Sequence, residues 1–366
     1  MDLLARATEL KPQLVHYATA GQFAKELKTV LDRFFADGPA KDEASAFLPI
    51  DYFVLQHRLP TGDTVVDRFV EDNPDLDDAD KRLLLGWKDV VEGVFEVKGR
   101  DLLGTGVALF NLVDELTYLA HSNLGEDAFE PLEQGMFVVG RLVPLGDGEW
   151  FISATPTVYT ADARDTLVPV AAHVALNNPP YVFRNPDALA KARQLQAEQR
   201  RRFVAHFGSD LVVTTGHDLT STMRGYLNKL DGHTDLDLPA HLKEAETVAL
   251  IFDEVEGLGY YADFGLLEEA FADPTLLIKA RYKKVLTAYL RGDAVSPVPL
   301  RRLAERDPAK ASAVFARLLN KRGFEWTRSG EALLRTHKPG HFTGDRLPTV
   351  TPLTAAIAEH LGVTAA

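Results

Sequence analysis

The sequence contains no cysteine in 366 residues. Disulfides, thiolate nucleophiles, iron–sulfur clusters and zinc sites with Cys ligands are thereby excluded, and any metal site would need His and carboxylates. Long hydrophobic runs are missing too. No apolar stretch approaches the ~18 residues a membrane helix needs. The opening "MDLLARATELKPQL" has an early Asp and Glu and no uninterrupted apolar core, so it does not read as a secretory signal. A cytoplasmic location with no membrane partner is the expectation. Catalytic signatures are equally scarce. There is no Gly-Lys-Ser or Gly-Lys-Thr of a P-loop, no His-Arg-Asp kinase loop, no Gly-x-Ser-x-Gly elbow and no His-Glu-x-x-His. The pair His337 and His341 is interrupted by Pro339-Gly340, and His206, His217 and His233 lack motif spacing. No cofactor is expected.

What is present is an ordinary globular composition, 46% hydrophobic and 25% charged, in a chain long enough for two or three domains. The net charge of −13 is unevenly placed. Residues 1–150 hold 14 Lys+Arg against 28 Asp+Glu, whereas residues 271–346 hold 16 against 7. Such polarity suits either a basic binding face or mutual docking of the acidic and basic parts.

Leu3, Leu4, Ala7, Leu10 and Leu14, then Phe23, Leu27, Leu31 and Phe34, recur at helical spacing, and "FADGPAKDEASA" ends the run with turn chemistry. Phe53, Leu55 and His57 alternate with Val54, Gln56 and Arg58, which predicts a short strand before the turn Pro60-Thr61-Gly62-Asp63. Asp63 or Thr64 then caps a helix through Val70. The acids of "DLDDAD" open a further helix, opposing the positive end of its dipole. From Gly93 about five β-like runs follow. Gly146-Asp147-Gly148 marks a hairpin and Gly140 a bend or bulge. This suits a small barrel of SH3-like or OB-like type, or a single curved sheet. Asn185-Pro186-Asp187 starts a long helix, "DLVVTT" is a strand, and "GHDLTSTMRGYLNKL" is a helix capped by Asp218. Asp273-Pro274 and Asp307-Pro308 begin further helices.

The expected fold class is α+β: N-terminal helices over 1–92, a five-stranded β-barrel or curved sheet over 93–158, and a mostly helical C-terminal domain over 159–366 with one β-hairpin. The segments "DYFVLQHRLPTGDTVVDRFVEDNPDLDDADKRLLLGWKDVVEGVFEV", "LEQGMFVVGRLVPLGDGEWFIS" and "LIFDEVEGLGYYADFGLLEEAFADP" resemble parts of uncharacterised bacterial proteins that often carry the SEC-C zinc motif. This chain lacks the cysteines of that motif, so the resemblance implies an architecture and no activity.

Three constellations are candidate sites. "VALIFDEVEGLGYYADFG" (248–265) has the look of a nucleotide-binding strand followed by a kinase-type Asp-Phe-Gly, but the missing partner motifs make it a hairpin turning through Glu256-Gly257-Leu258-Gly259. Its carboxylates Asp253, Glu254 and Asp263 would bind a divalent cation if they gathered. Gly216, His217, Ser221 and Arg224 open a helix whose free amides suit an anion, although Asp218 as cap would satisfy them. Arg281, Lys283, Lys284, Arg301, Arg302, Lys321 and Arg322, interleaved with Tyr282, Tyr289, Phe324 and Trp326, suit nucleic-acid phosphates with bases stacked on aromatics. Two readings stand. One is a non-enzymatic binding or adaptor protein whose partner is a protein or a nucleic acid. The other is a metal- or phosphate-dependent enzyme using the carboxylates near 253–263.

Overall fold

A computed structural model describes residues 2–362 apart from 37, 39–42, 102–103, 123–128, 228–236 and 293, with the backbone alone at 43–46 and 154–155. The expected turn at 37–42 (Gly38 apart), the helix end beyond Leu227 and His233 lie outside the described residues. The chain is α+β and divides into two compact units, 1–188 with 351–366, and 189–350. Among the described residues no helix is long and apolar enough to cross a membrane.

The first unit begins with helices α1 (Leu3–Thr19), α2 (Ala24–Phe34), α3 (Glu43–Leu55), α4 (Val65–Asp72) and α5 (Asp78–Gly86). Local chemistry sets their ends. Thr64 and Asp67 form a reciprocal capping box on α4, and the Asp77 carboxylate accepts the Ala79 and Asp80 amides at the start of α5. Of the strand expected at Phe53–Arg58, Phe53–Leu55 is instead the end of α3 and only Arg58 makes a β-contact, an isolated bridge to Thr64. Phe53, Val54 and Leu55 are all buried, and three consecutive buried residues contradict the in–out alternation of a half-exposed strand.

Strands β1 (Val91–Arg100), β2 (Val107–Asn111), β3 (Thr117–His121), β4 (Phe137–Gly146) and β5 (Glu149–Tyr159) close into a barrel in the order β1-β2-β3-β5-β4. The β3–β5 pair is parallel, which separates it from an all-antiparallel meander. The β4–β5 turn has Asp147 at φ 52° and Gly148 at φ 83°, the two positive angles a two-residue hairpin of matching twist requires. The register slips between Val139 and Arg141, so Gly140 is the bulge its position in the strand predicts. Helices α6 (Arg164–Asn177), α7 (Pro179–Val182) and, from the end of the chain, α16 (Ala355–His360) pack a further apolar cluster on Val94 and Phe137.

A buried polar network pins the N-terminal helices to the barrel wall. Lys11 Nζ donates to Asp51 Oδ1 and to Ser153 Oγ, each at 2.7 Å, and Ser153 donates to the same Asp51 oxygen at 2.7 Å. Arg141 lies 3.7 Å from the other Asp51 oxygen and donates to Leu48 O at 2.8 Å. Burial alone would raise the Asp51 carboxyl, but Lys11 and Arg141 more than reverse this and hold it below its ordinary value. Burial pushes the Lys11 ammonium down despite Asp51.

In the second unit α8 (Pro186–Phe207) leads into β6 (Leu211–Thr214), α9 (Gly216–Leu227) and α10 (Ala240–Lys243), then β7 (Val248–Asp253), β8 (Gly257–Ala262) and α11 (Phe264–Ala272). The chain continues through α12 (Ala280–Arg291), α13 (Val298–Arg306), α14 (Pro308–Leu318) and α15 (Trp326–His337). The three strands form one sheet in the order β6-β7-β8. Both of its faces are covered. Ala249, Ile251 and Tyr261 join a core with α11–α15, while Val248, Leu250 and Phe252 join Phe203, Leu219 and Met223. Fully buried Lys338 donates to the Gly292 and Val295 carbonyls, closing the end of α12.

Lys11→Met leaves Asp51 as a buried charge without its closest partner. It should destabilise the first unit by about 3–5 kcal/mol, and Lys11→Met/Asp51→Asn should be less damaging than the single change. Urea unfolding followed through the fluorescence of Trp87, which is buried beside Phe151, checks both.

Candidate functional site

The expected cation site does not assemble. In the β7–β8 ladder Asp253 pairs with Gly257 and Val248 with Ala262. Asp263 lies beyond the opposite end, its N–H donating to Thr247 O at 2.7 Å. About six strand steps put roughly 20 Å between Asp263 and the Asp253–Glu254 pair. Asp253 Oδ1 accepts the Val255 and Glu256 amides at 2.9 and 3.0 Å, so this carboxylate shapes the turn. Gly257 follows with φ 71°, and a Cβ there would lie 2.3 Å from Thr349 Oγ1. Among the described residues no group of three His, Asp or Glu is placed to hold a metal ion.

The expected anion site at Gly216, His217, Ser221 and Arg224 is occupied by the protein's own groups. Thr215 Oγ1 accepts the Asp218 amide at 3.1 Å and donates to Asp218 Oδ2 at 2.8 Å, so Thr215, one step before Gly216, caps α9. The Gly216 N–H donates to Ala245 O at 3.1 Å. A Cβ at 216 would sit within 2.6 Å of the carbonyl oxygens of Leu242, Lys243 and Ala245. Carbonyl oxygens therefore stand where an anion would. Ser221 Oγ donates to Asp218 O, and His217 and Arg224 are exposed side chains outside this contact.

The basic set divides. Tyr282, Tyr289 and Phe324 are buried core residues, and Trp326 stacks on Phe315 at 4.7 Å with Gly330 against its ring. These aromatics are not a platform for bases. Arg281 donates to the Tyr282 hydroxyl and lies over that ring. Lys284, Lys321 and Arg322 are exposed, and Lys283 borders a hollow with Leu277 and Arg317. Arg301 and Arg302 alone among these cations enter the largest cleft described. The barrel offers no substitute surface. Of its strand cations, Lys98 pairs with Glu96, Arg100 donates to Phe129 O, and Arg141 is buried.

That cleft, about 810 Å³, lies where the β7–β8 turn meets α13 and the stretch carrying His341 and Arg346. Five arginines line it: Arg200, Arg301, Arg302, Arg306 and Arg346. Asp210 sits between two of them, accepting from Arg302 Nη1 and Nη2 at 2.8 and 3.0 Å and from Arg200 Nη2 at 2.7 Å. Hydrogen bonds from Arg302 outweigh partial burial and, with Arg200, hold the Asp210 carboxyl below its ordinary value. Arg301 and Arg306 are anchored by Glu331 and Glu268, and Arg346 Nε donates to His341 O at 3.1 Å. Nη2 of Arg346 is enclosed without an acceptor.

Gln196 fixes this frame. Its Nε2 donates to Glu254 O and Val255 O at 2.9 and 3.1 Å, and its Oε1 accepts from Thr349 N and Oγ1 at 2.9 and 3.1 Å. One buried amide thus ties α8, the hairpin turn and the segment behind Arg346 together. Neither Gln196 nor Asp210 stands in a motif. The one signal that marks Asp210 is its place just before the strand "LVVT", which puts it on the sheet's rim beside the hairpin turn.

Asp210→Asn should destabilise the second unit by about 1–2 kcal/mol, since two partly exposed guanidinium groups lose a charged acceptor. A carboxylate with a depressed folded pKa contributes fully above its unfolded value of about 3.9 and loses that contribution as pH falls through the folded value. The gap between wild type and Asp210→Asn, read from Trp326 fluorescence in urea, should therefore be full at pH 7 and close at the acid end. No protein-family model matches the sequence, and no curated protein or solved structure matches it significantly.

Proposed function

We propose that the protein is a non-enzymatic binding protein that takes a phosphate-bearing ligand in the cleft lined by Arg200, Arg301, Arg302, Arg306 and Arg346. The observation that carries this reading is the convergence of five guanidinium groups on one cleft, where they meet five carboxylates and where Nη2 of Arg346 is enclosed without a partner. Each group brings five donors. Of the cleft's five carboxylates, Asp210 is committed to Arg200 and Arg302, Asp253 to two backbone amides, Glu254 lies 3.6 Å from Arg200 and Glu256 3.7 Å from His341, and Glu305 completes the set. Planar guanidinium forks match phosphate oxygens in pairs. Binding is preferred to turnover because the sequence carries no P-loop, kinase, hydrolase or zincin signature to work on such a ligand.

Pyrophosphate and an octathymidylate strand are the two probes, since a free phosphate compound and a nucleic-acid backbone share this chemistry. At ten times its Kd a ligand bound to the folded state alone adds about 1.4 kcal/mol of stability. Pyrophosphate should raise the melting temperature, and Arg301→Met/Arg346→Met should weaken it at least about tenfold, with further weakening by salt. Binding of the oligonucleotide alone, equally sensitive to the double variant, assigns the phosphate to a nucleic acid. Failure of both probes, or indifference to the double variant, overturns the reading.

A further inference from the structure

A second cavity, of about 440 Å³, lies at the opposite end of the same hairpin and shares no residue with the arginine cleft. Its walls come from Tyr260–Asp263 at the end of β8, from α10 and from α12. Strand β8 is the outer strand of the sheet. Tyr260 and Tyr261, which alternation sends to opposite faces, can therefore both border one hollow that wraps the sheet edge. Tyr289 on α12 completes the aromatic wall. Its hydroxyl donates to Ala262 O at 2.7 Å, which fixes the ring against the strand. Leu242, Val285 and Val295 supply the rest of the apolar lining.

Among the described residues that line this cavity, Asp263 is the one carboxylate and none is Lys or Arg. Among the described residues its carboxylate makes no ion pair and no hydrogen bond, and it does not cap α11. Exposed His241 stands at the margin. Asp263 also sits at φ 58°, a conformation that costs a side-chain-bearing residue energy and that Asp and Asn tolerate best. Its place just before α11 sets this side chain at the positive end of the helix dipole. Burial, with Asp263 and Tyr261 nearby, pushes the Tyr289 phenol up, so that wall remains neutral aromatic at physiological pH.

We propose that this cavity is a binding site for a small organic amine, its ammonium held by Asp263 and its apolar body held against Tyr260, Tyr261 and Tyr289. An aromatic wall attracts cations through the ring quadrupole, and an uncompensated carboxylate selects them over neutral and anionic isosteres. The volume lies within the range of small-molecule pockets and leaves room for a single aromatic ring with its substituent.

The test compares benzylamine, benzyl alcohol and benzoate by titration calorimetry on the full chain. Benzylamine should bind about tenfold more tightly than benzyl alcohol, with no binding of benzoate. Asp263→Asn keeps a residue that accepts positive φ, and Asp263→Gly removes the strain altogether. Both should abolish the preference for the amine while leaving benzyl alcohol unchanged. Ala288→Trp, which fills the cavity from α12, should remove binding of all three. Equal binding of amine and alcohol by the wild type, retention of the preference in either Asp263 variant, or full amine binding by Ala288→Trp would each overturn the proposal.

Discussion

Strand Val248–Asp253 carries apolar side chains on both faces, and burying both of them is the constraint on which the second unit depends. A strand of this kind cannot lie on a surface, because its hydrophobic residues point in two directions. Helices must cover each side, and here α11–α15 take one face while α8, α9 and α10 take the other. The hairpin is then left two places for polar groups: the turn at Glu254–Glu256, and the exit at Tyr260–Asp263. Both cavities lie at these ends. Their positions follow from the burial of β7 and need no separate device.

The hairpin itself is legible in the sequence. An unbroken apolar run, acids beyond it and two glycines can do little else once the phosphate-binding motifs are missing. The closed barrel is similarly visible, because Gly146-Asp147-Gly148 and Gly140 report backbone angles directly. The failed strand at Phe53–Arg58 shows the limit of such reading. Alternation over six residues is weak information when the first three, Phe53, Val54 and Leu55, are all buried at the end of α3. The arginine cleft is illegible for a different reason. Arg200, Asp210, Arg302 and Arg346 come from four separate elements, and Gln196, which ties the turn to Thr349, reaches across 153 positions. Spacing along the chain holds no trace of such a meeting.

Nearness in sequence misleads in the opposite sense at Asp253 and Asp263. Ten positions apart, they look like ligands for one ion. A hairpin brings residues together only when they sit symmetrically about its turn, and the turn here is at 254–256. Asp253 is next to the turn and Asp263 beyond the far end. The same logic applies to the aromatic residues among the C-terminal cations. At helical spacing on amphipathic helices, Tyr282 and Tyr289 are the faces by which α12 joins the core, so alternation with Lys and Arg reflects amphipathicity before it reflects recognition.

The two ends of the hairpin differ in electrostatic character, and the difference has a local cause. At the turn, Asp210 draws Arg200 and Arg302 together on the sheet's rim, and the neighbouring arginines are held from outside by Glu331 and Glu268, so donors accumulate. At the exit, the chain must swing from β8 into α11 within one residue, and Asp263 does so with a left-handed backbone. Glycine would meet that geometry at no steric cost. A capping role would account for aspartate instead, but its carboxylate accepts none of the amides of α11, and the Gly265 amide is taken by Thr247. A hydrogen-bonded cap does not explain the aspartate, and the dipole of α11 favours a negative charge here without requiring one. The side chain's position adds to this: a carboxylate set among three tyrosines, at a point where the backbone geometry alone would be better served by glycine.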